Sequence, residues 1–196
     1  MKNTSFFTLA AWFAFLAGAA GLLYSLAFIV LKSDVLSALF LLLGGFAALV
    51  AWIALYERLQ AANPPYALLA FVLSAGAAAG SLIHGGYDLS NALHPSATLH
   101  PDLPNPVDPR GLLTFGVAAV GIFFFSWLAA RDTGFPQGLV YVGYLSAFLM
   151  AVLYLGRLII LQATNPAIII PALLEGFLVN PIWFIWLGVT LLRTKK

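Results

Sequence analysis

Glu175 is one of seven acidic residues in a 196-residue chain that is 62% hydrophobic, and it stands inside an apolar run. Arg157 stands near the end of the preceding apolar run. A lone charge in hydrocarbon is costly, so each residue needs a partner or water. Two chemistries suit such a pair. One is an interhelical ion pair that fixes register. The other is a polar, outward-opening cavity for a proton, an ion or a small solute, with Glu175, Arg157, Asn180 and Tyr154 as its residues. Pro171 and Pro181 favour the second, because each removes a backbone donor and frees carbonyls that a cavity can use.

A second constellation falls in the segment HGGYDLSNALHPSATLHPDLPNPVDPRG, which holds all three histidines and five of the eleven prolines. His84, Asp88, His94 and His100 offer imidazole nitrogen and carboxylate oxygen, a mixture suited to zinc, iron or manganese. His84, near a helix end, is also a candidate axial haem ligand. No pair has compact ligand spacing, and the proline-bent path leaves convergence open. A hydrated cap over the bundle is the plainer expectation, and the cofactor stays unknown. The chain has no cysteine, which excludes disulfides, thiolate-held iron–sulfur clusters and cysteine nucleophiles. Nucleotide loops, nucleophile elbows and HExxH motifs are absent, and Ser74, Ser81 and Ser126 lack a local His–acid arrangement. An intramembrane enzyme would need a cluster assembled from distant residues. No basic groove suggests nucleic acid, and the RTKK tail reads as a membrane-surface anchor.

These residues have to be positioned by membrane-spanning helices. With 8% charged residues, the chain cannot cover a water-facing surface, so residues 1–196 are expected to form a single transmembrane domain. The apolar runs predict an all-α, polytopic bundle of six helices over about 6–31, 35–56, 66–84, 111–130, 138–160 and 167–192, each near the ~20 residues that cross a bilayer. The first run is too long for a signal-peptide core and is expected to stay as a helix. Loops are short except for the proline-rich outer one, so consecutive helices are antiparallel neighbours. Within the outer loop, Asp88 to Leu93 is expected to make one short interfacial helical turn. Lys2, Arg58, Arg131, Arg193, Lys195 and Lys196 fall on the terminal side, against Lys32, Arg110 and Arg157 on the other, which places both termini in the cytoplasm. Trp52, Tyr56, Tyr66 and Trp127 fit interfacial belts. Gly76 and Gly80 present a ridge for close helix contact, as do Gly18 and Gly21 and the Gly44–Gly45 pair.

The stretches AGAAGLLYSLAFIV, GFPQGLVYVGYLSAFL and PALLEGFLVNPIWFIWLG resemble a family of small six-helix bacterial membrane proteins of uncharacterised function. The resemblance implies the fold and a bacterial cytoplasmic membrane location, and it transfers no catalytic residue. The first functional expectation is a small integral-membrane accessory or interaction subunit of a larger complex, with lipid and partner subunits or a second copy as its contacts. The alternatives are a transporter-like or ligand-binding protein using Glu175 and Arg157, and an intramembrane enzyme.

Overall fold

The computed structural model describes residues 4–95, 112–160, 162 and 164–193. Helices make up six rods, and no strand occurs among the described residues. The first rod is α1 (Thr4–Ser25), which widens into a π-helix over Leu26–Leu31. Next come α2 (Asp34–Leu59) and α3 (Pro64–Leu93). The fourth rod opens with a π-helix, Leu112–Val117, and continues as α4 (Ala118–Ala129); α5 spans Gln137–Ile159. The sixth rod is α6 (Pro166–Leu174), a π-helical turn (Glu175–Val179) and α7 (Asn180–Arg193). The stretches Ser5–Leu31, Asp34–Leu59, Pro64–Leu93, Gln137–Ile159 and Pro166–Arg193 are long and apolar enough to cross a membrane; Thr114–Ala129 is apolar and shorter. Such a bundle is consistent with an integral membrane protein, because a helix satisfies its own backbone groups where water cannot.

Local sequence sets the rod ends. Lys32 adopts a left-handed conformation, φ 50°, and reverses the chain after the first rod. The Ser33 hydroxyl then accepts from the Leu36 N–H at 3.4 Å and starts α2. Asn63 caps α3 through Tyr66 N–H at 3.5 Å, and Asn165 caps α6 through Ala167 N–H at 3.0 Å. In both cases proline follows at the first helical position, where its missing donor costs nothing. The expected separate turn at Asp88–Leu93 is instead the continuation of α3, which runs nine residues past the predicted end at His84. No proline interrupts that stretch before Pro95. Gly85 does not break it either, because the helix packs so closely there that a methyl group would lie 2.7 Å from the Leu42 nitrogen and 2.8 Å from the Ala38 oxygen.

The rods form a ring in chain order that closes where α1 packs antiparallel against α7. Small residues bring these two together. Gly188 meets Phe15, Gly18 faces the Pro181 carbonyl and Phe184, Gly21 faces Asn180, and Gly176 meets Ser25. Between α2 and α3 the close approach is made by Gly45 against Ala78 and Ser81, and by Gly85. Gly18, Gly21 and Gly45 therefore serve packing within the chain. Gly76 does not, since a methyl there would meet nothing within 4 Å.

The half of the ring near the chain termini is densely filled. Leu55, Leu59, Phe125, Leu128, Leu187 and Leu191 are fully buried. Above them Trp52 stacks on Phe125, with ring centroids 5.5 Å apart, and meets Trp183 at 5.3 Å and Phe184 at 5.5 Å. Trp52 thus belongs to the core, where it is 4% exposed, and not to an interfacial belt. Its side of α2 points into the ring, where the indole packs ring against ring. Tyr66 and Trp127 do pair at the terminal end, 5.1 Å apart. At the same end Arg58 Nε meets Asp132 Oδ2 at 3.3 Å, joining α2 to the α4–α5 connection. The Arg58 guanidinium also lies 4.1 Å from the centre of the Phe135 ring.

Gly85→Val should destabilise the fold by about 1–3 kcal/mol, because the obstructing atoms are backbone. Gly76→Ala should be neutral or up to about 1 kcal/mol stabilising. Thermal unfolding of both variants in detergent micelles checks this pair; equal melting would contradict the α2–α3 contact described above.

Candidate functional site

Glu175 begins the π-helical turn of the sixth rod. The proline at 181 lacks an N–H and crowds the carbonyl four residues before it, so a widened turn just upstream relieves the clash. The Asn180 N–H reaches back five residues to the Glu175 carbonyl, which is π-helical bonding. The interruption anticipated from Pro171 and Pro181 is thus a widened turn carrying the acid itself. The widening turns the Glu175 side chain into the ring, where the residue is 5% exposed.

The carboxyl group is held by Ser146 of α5, whose hydroxyl donates to Oε1 at 2.6 Å. Asn180 brings its side-chain amide toward the same carboxyl group. Oε2 nevertheless has no hydrogen-bond partner among the described residues. The ion pair with Arg157 that adjacent helices would allow does not form. Arg157 lies eleven residues beyond Ser146 on α5, roughly 16 Å further along the rod at 1.5 Å per residue. Arg157 has its own contacts near the end of α5.

Glu175 forms part of the wall of a cavity of about 980 Å³. The cavity occupies the half of the ring away from the termini. Lys32, Asp34, Asp88, Asn91, Arg157 and Thr164, all at rod ends, stand at its outer limit, and Trp52 and Phe184 stand at its deepest. The half is hollow because its inward positions carry small side chains, among them Gly21, Ser25, Gly44, Ala48, Ala77 and Ala118. Each of the three π-helical segments contributes to the wall, through Phe28, Thr114 and Glu175. Wide turns recur at functional positions in helical proteins.

The two constellations expected separately from sequence meet in this one space. Tyr154, Arg157, Glu175 and Asn180 all line it, and so do His84 and Asp88. His84 Nε2 and Asp88 Oδ2 are 3.1 Å apart, one turn from each other on α3. His94 is exposed at the end of α3, away from the lining, and His100 lies outside the described residues. Among the described residues no three His, Cys, Asp or Glu side chains gather as a metal site would require.

Sequence reasoning missed Ser146 and Ser25, and weighed Ser74 only as a nucleophile. Ser25 is buried beside the Glu175 turn, its hydroxyl donating to the Gly21 carbonyl at 3.1 Å. Ser74 also lines the cavity, with an Oγ that has no hydrogen-bond partner among the described residues. A serine in an apolar helix is a faint signal, since its hydroxyl can return to its own backbone. The informative sign was depth, because Ser146 and Glu175 each lie well inside adjacent runs. No protein-family model matches this chain, and neither curated proteins nor solved structures yield a match.

The Ser146–Glu175 contact predicts coupling. A double-mutant cycle of Ser146→Ala with Glu175→Gln, followed by thermal or denaturant unfolding, should give an interaction energy of about 0.5–3 kcal/mol. The cycle of Arg157→Ala with Glu175→Gln should give a value near zero. Strong coupling to Arg157 and none to Ser146 would reverse this description of the site.

Proposed function

We propose that this chain is an integral membrane protein that binds a small solute in the hollow half of its ring, with Glu175 as the polar contact at depth. The observation that carries the reading is a buried carboxyl oxygen with no hydrogen-bond partner among the described residues on the wall of a cavity of about 980 Å³. A space of that size is at the upper end of small-molecule sites. An apolar lining with a few convergent polar groups is also typical of such sites. Because the cavity reaches the rod ends opposite the termini, solute enters from that side.

Six crossings of a bacterial cytoplasmic membrane, with both termini in the cytoplasm, belong to the same proposal and rest on the excess of basic residues at the terminal side. An accessory subunit of a larger complex, the first expectation from sequence, asks only for a docking face. The exposed apolar side chains around the ring, such as Trp12, Phe148 and Ile159, serve lipid equally well, and a docking role leaves the hollow half unexplained. An intramembrane hydrolase gains little support, because neither Ser74 nor Ser126 has a base within hydrogen-bond reach among the described residues.

The natural absence of cysteine makes the test clean. Ala172→Cys and Ala48→Cys, both in the cavity wall, should react with a water-soluble cationic methanethiosulfonate in intact cells, whereas Leu187→Cys and Leu59→Cys, in the packed half, should not. Intact-mass spectrometry reads the adducts. Protection of the cavity positions to the same degree as the packed ones would defeat the proposal. A fluorescent reporter fused after Lys196 should be active only in the cytoplasm, and an extracytoplasmic signal would overturn the orientation.

A further inference from the structure

We infer that the ligand is an organic ammonium ion with a largely apolar body, bound with its charged head against Glu175 and its body toward the rod ends. The inference rests on the cavity being a binding site and adds the chemical class of what binds there.

The argument begins with the distribution of charge. The outer limit of the cavity carries both signs, Lys32 and Arg157 with Asp34 and Asp88, and so selects weakly between ligands. Below it, Glu175 is the one acidic side chain of the lining among the described residues, and the basic one there, His84, lies 3.1 Å from Asp88. A buried carboxylate without a counter-charge is strongly disfavoured, and removing its partner costs more than the pair itself contributes. Ser146 supplies one neutral donor to Oε1, the neutral Asn180 amide approaches the same group, and Oε2 receives no hydrogen bond among the described residues. An ammonium group supplies what is missing, namely a positive charge and N–H donors.

The remainder of the space sets the body of the ligand. Between the depth of Glu175 and the rod ends, the wall is mostly apolar, with Phe28, Phe40, Leu41, Leu153 and Ile168 alongside Ser37, His84 and Tyr154. The apolar residues contribute through burial of apolar surface, about 25 cal/mol per Å². A neutral alcohol would satisfy one hydrogen bond and leave the charge uncompensated. A carboxylate would place like charges together.

The test is isothermal titration of the full chain in lipid nanodiscs, with empty nanodiscs as background, using 4-phenylbutylamine, 4-phenylbutanol and 4-phenylbutyrate. The amine should bind saturably at one per chain and at least about tenfold more tightly than the alcohol, a difference of about 1.4 kcal/mol. The acid should not bind saturably. Glu175→Gln should bring the amine down to the affinity of the alcohol, with elution and helical circular dichroism unchanged. If that variant does not fold, the comparison of the three compounds on the natural chain still decides. Alcohol or acid binding as tightly as the amine would overturn the ligand class and leave solute binding standing. Saturable binding of none of the three, together with failure of the cavity cysteines to react, would remove both proposals.

Discussion

A carboxyl group enclosed by apolar helices has to be solvated by something other than bulk water, and the rest of this structure is arranged around that requirement. Ser146 meets it for one oxygen of Glu175. The helix carrying the acid widens at that residue, and the neighbouring helix 1 presents Gly21 and Ser25 so that the widened turn can approach closely. A larger residue at Gly176 or Gly21 would push the first and sixth rods apart. The small residues there and the position of the acid are thus one structural decision. Interiors held by small residues and short polar contacts are typical where lipid removes the hydrophobic drive between helices.

The ring divides along its length by side-chain volume. Toward the termini, leucines and aromatic rings fill the interior. Away from them, glycines, alanines and serines occupy equivalent inward positions and leave space. A void of this size forfeits dispersion contacts around its whole lining. The Trp52–Phe125–Trp183–Phe184 group marks the border. It closes the cavity from below and gives the packed half its uppermost layer.

The six-rod architecture was legible because apolar run length is a direct consequence of bilayer thickness. Asn165–Pro166 and Asn63–Pro64 start their helices by their own chemistry, a side-chain cap followed by a proline. The length of helix 3 was not legible, because Gly85 and Gly86 look like an ending until the closeness of Ala38 and Leu42 is known. Glu175 was conspicuous as an isolated acid, and Asn180 followed from proximity. Its partner was misjudged, because sequence neighbours in adjacent helices say little about relative height. Arg157 and Arg193 are equally near along the chain, 18 residues to either side, while the donor that reaches the carboxyl group is Ser146. The meeting of His84 and Asp88 with Glu175 in one cavity depends on ring closure between the first and sixth rods, which no local pattern records.

The Arg58–Asp132 contact links rods that are far apart in the chain, one in the first three and one at the turn within the last three. Together with the aromatic layer above it, it joins the two triplets across the interior at the terminal end. At the opposite end they meet along the seams of the wall, rod 1 against rod 6 at Gly21–Asn180 and Ser25–Gly176 and rod 3 against rod 4, and the described residues leave the space between them hollow. Such a barrel is braced across its base and open across its top, so a guest can occupy the interior without breaking an internal strut.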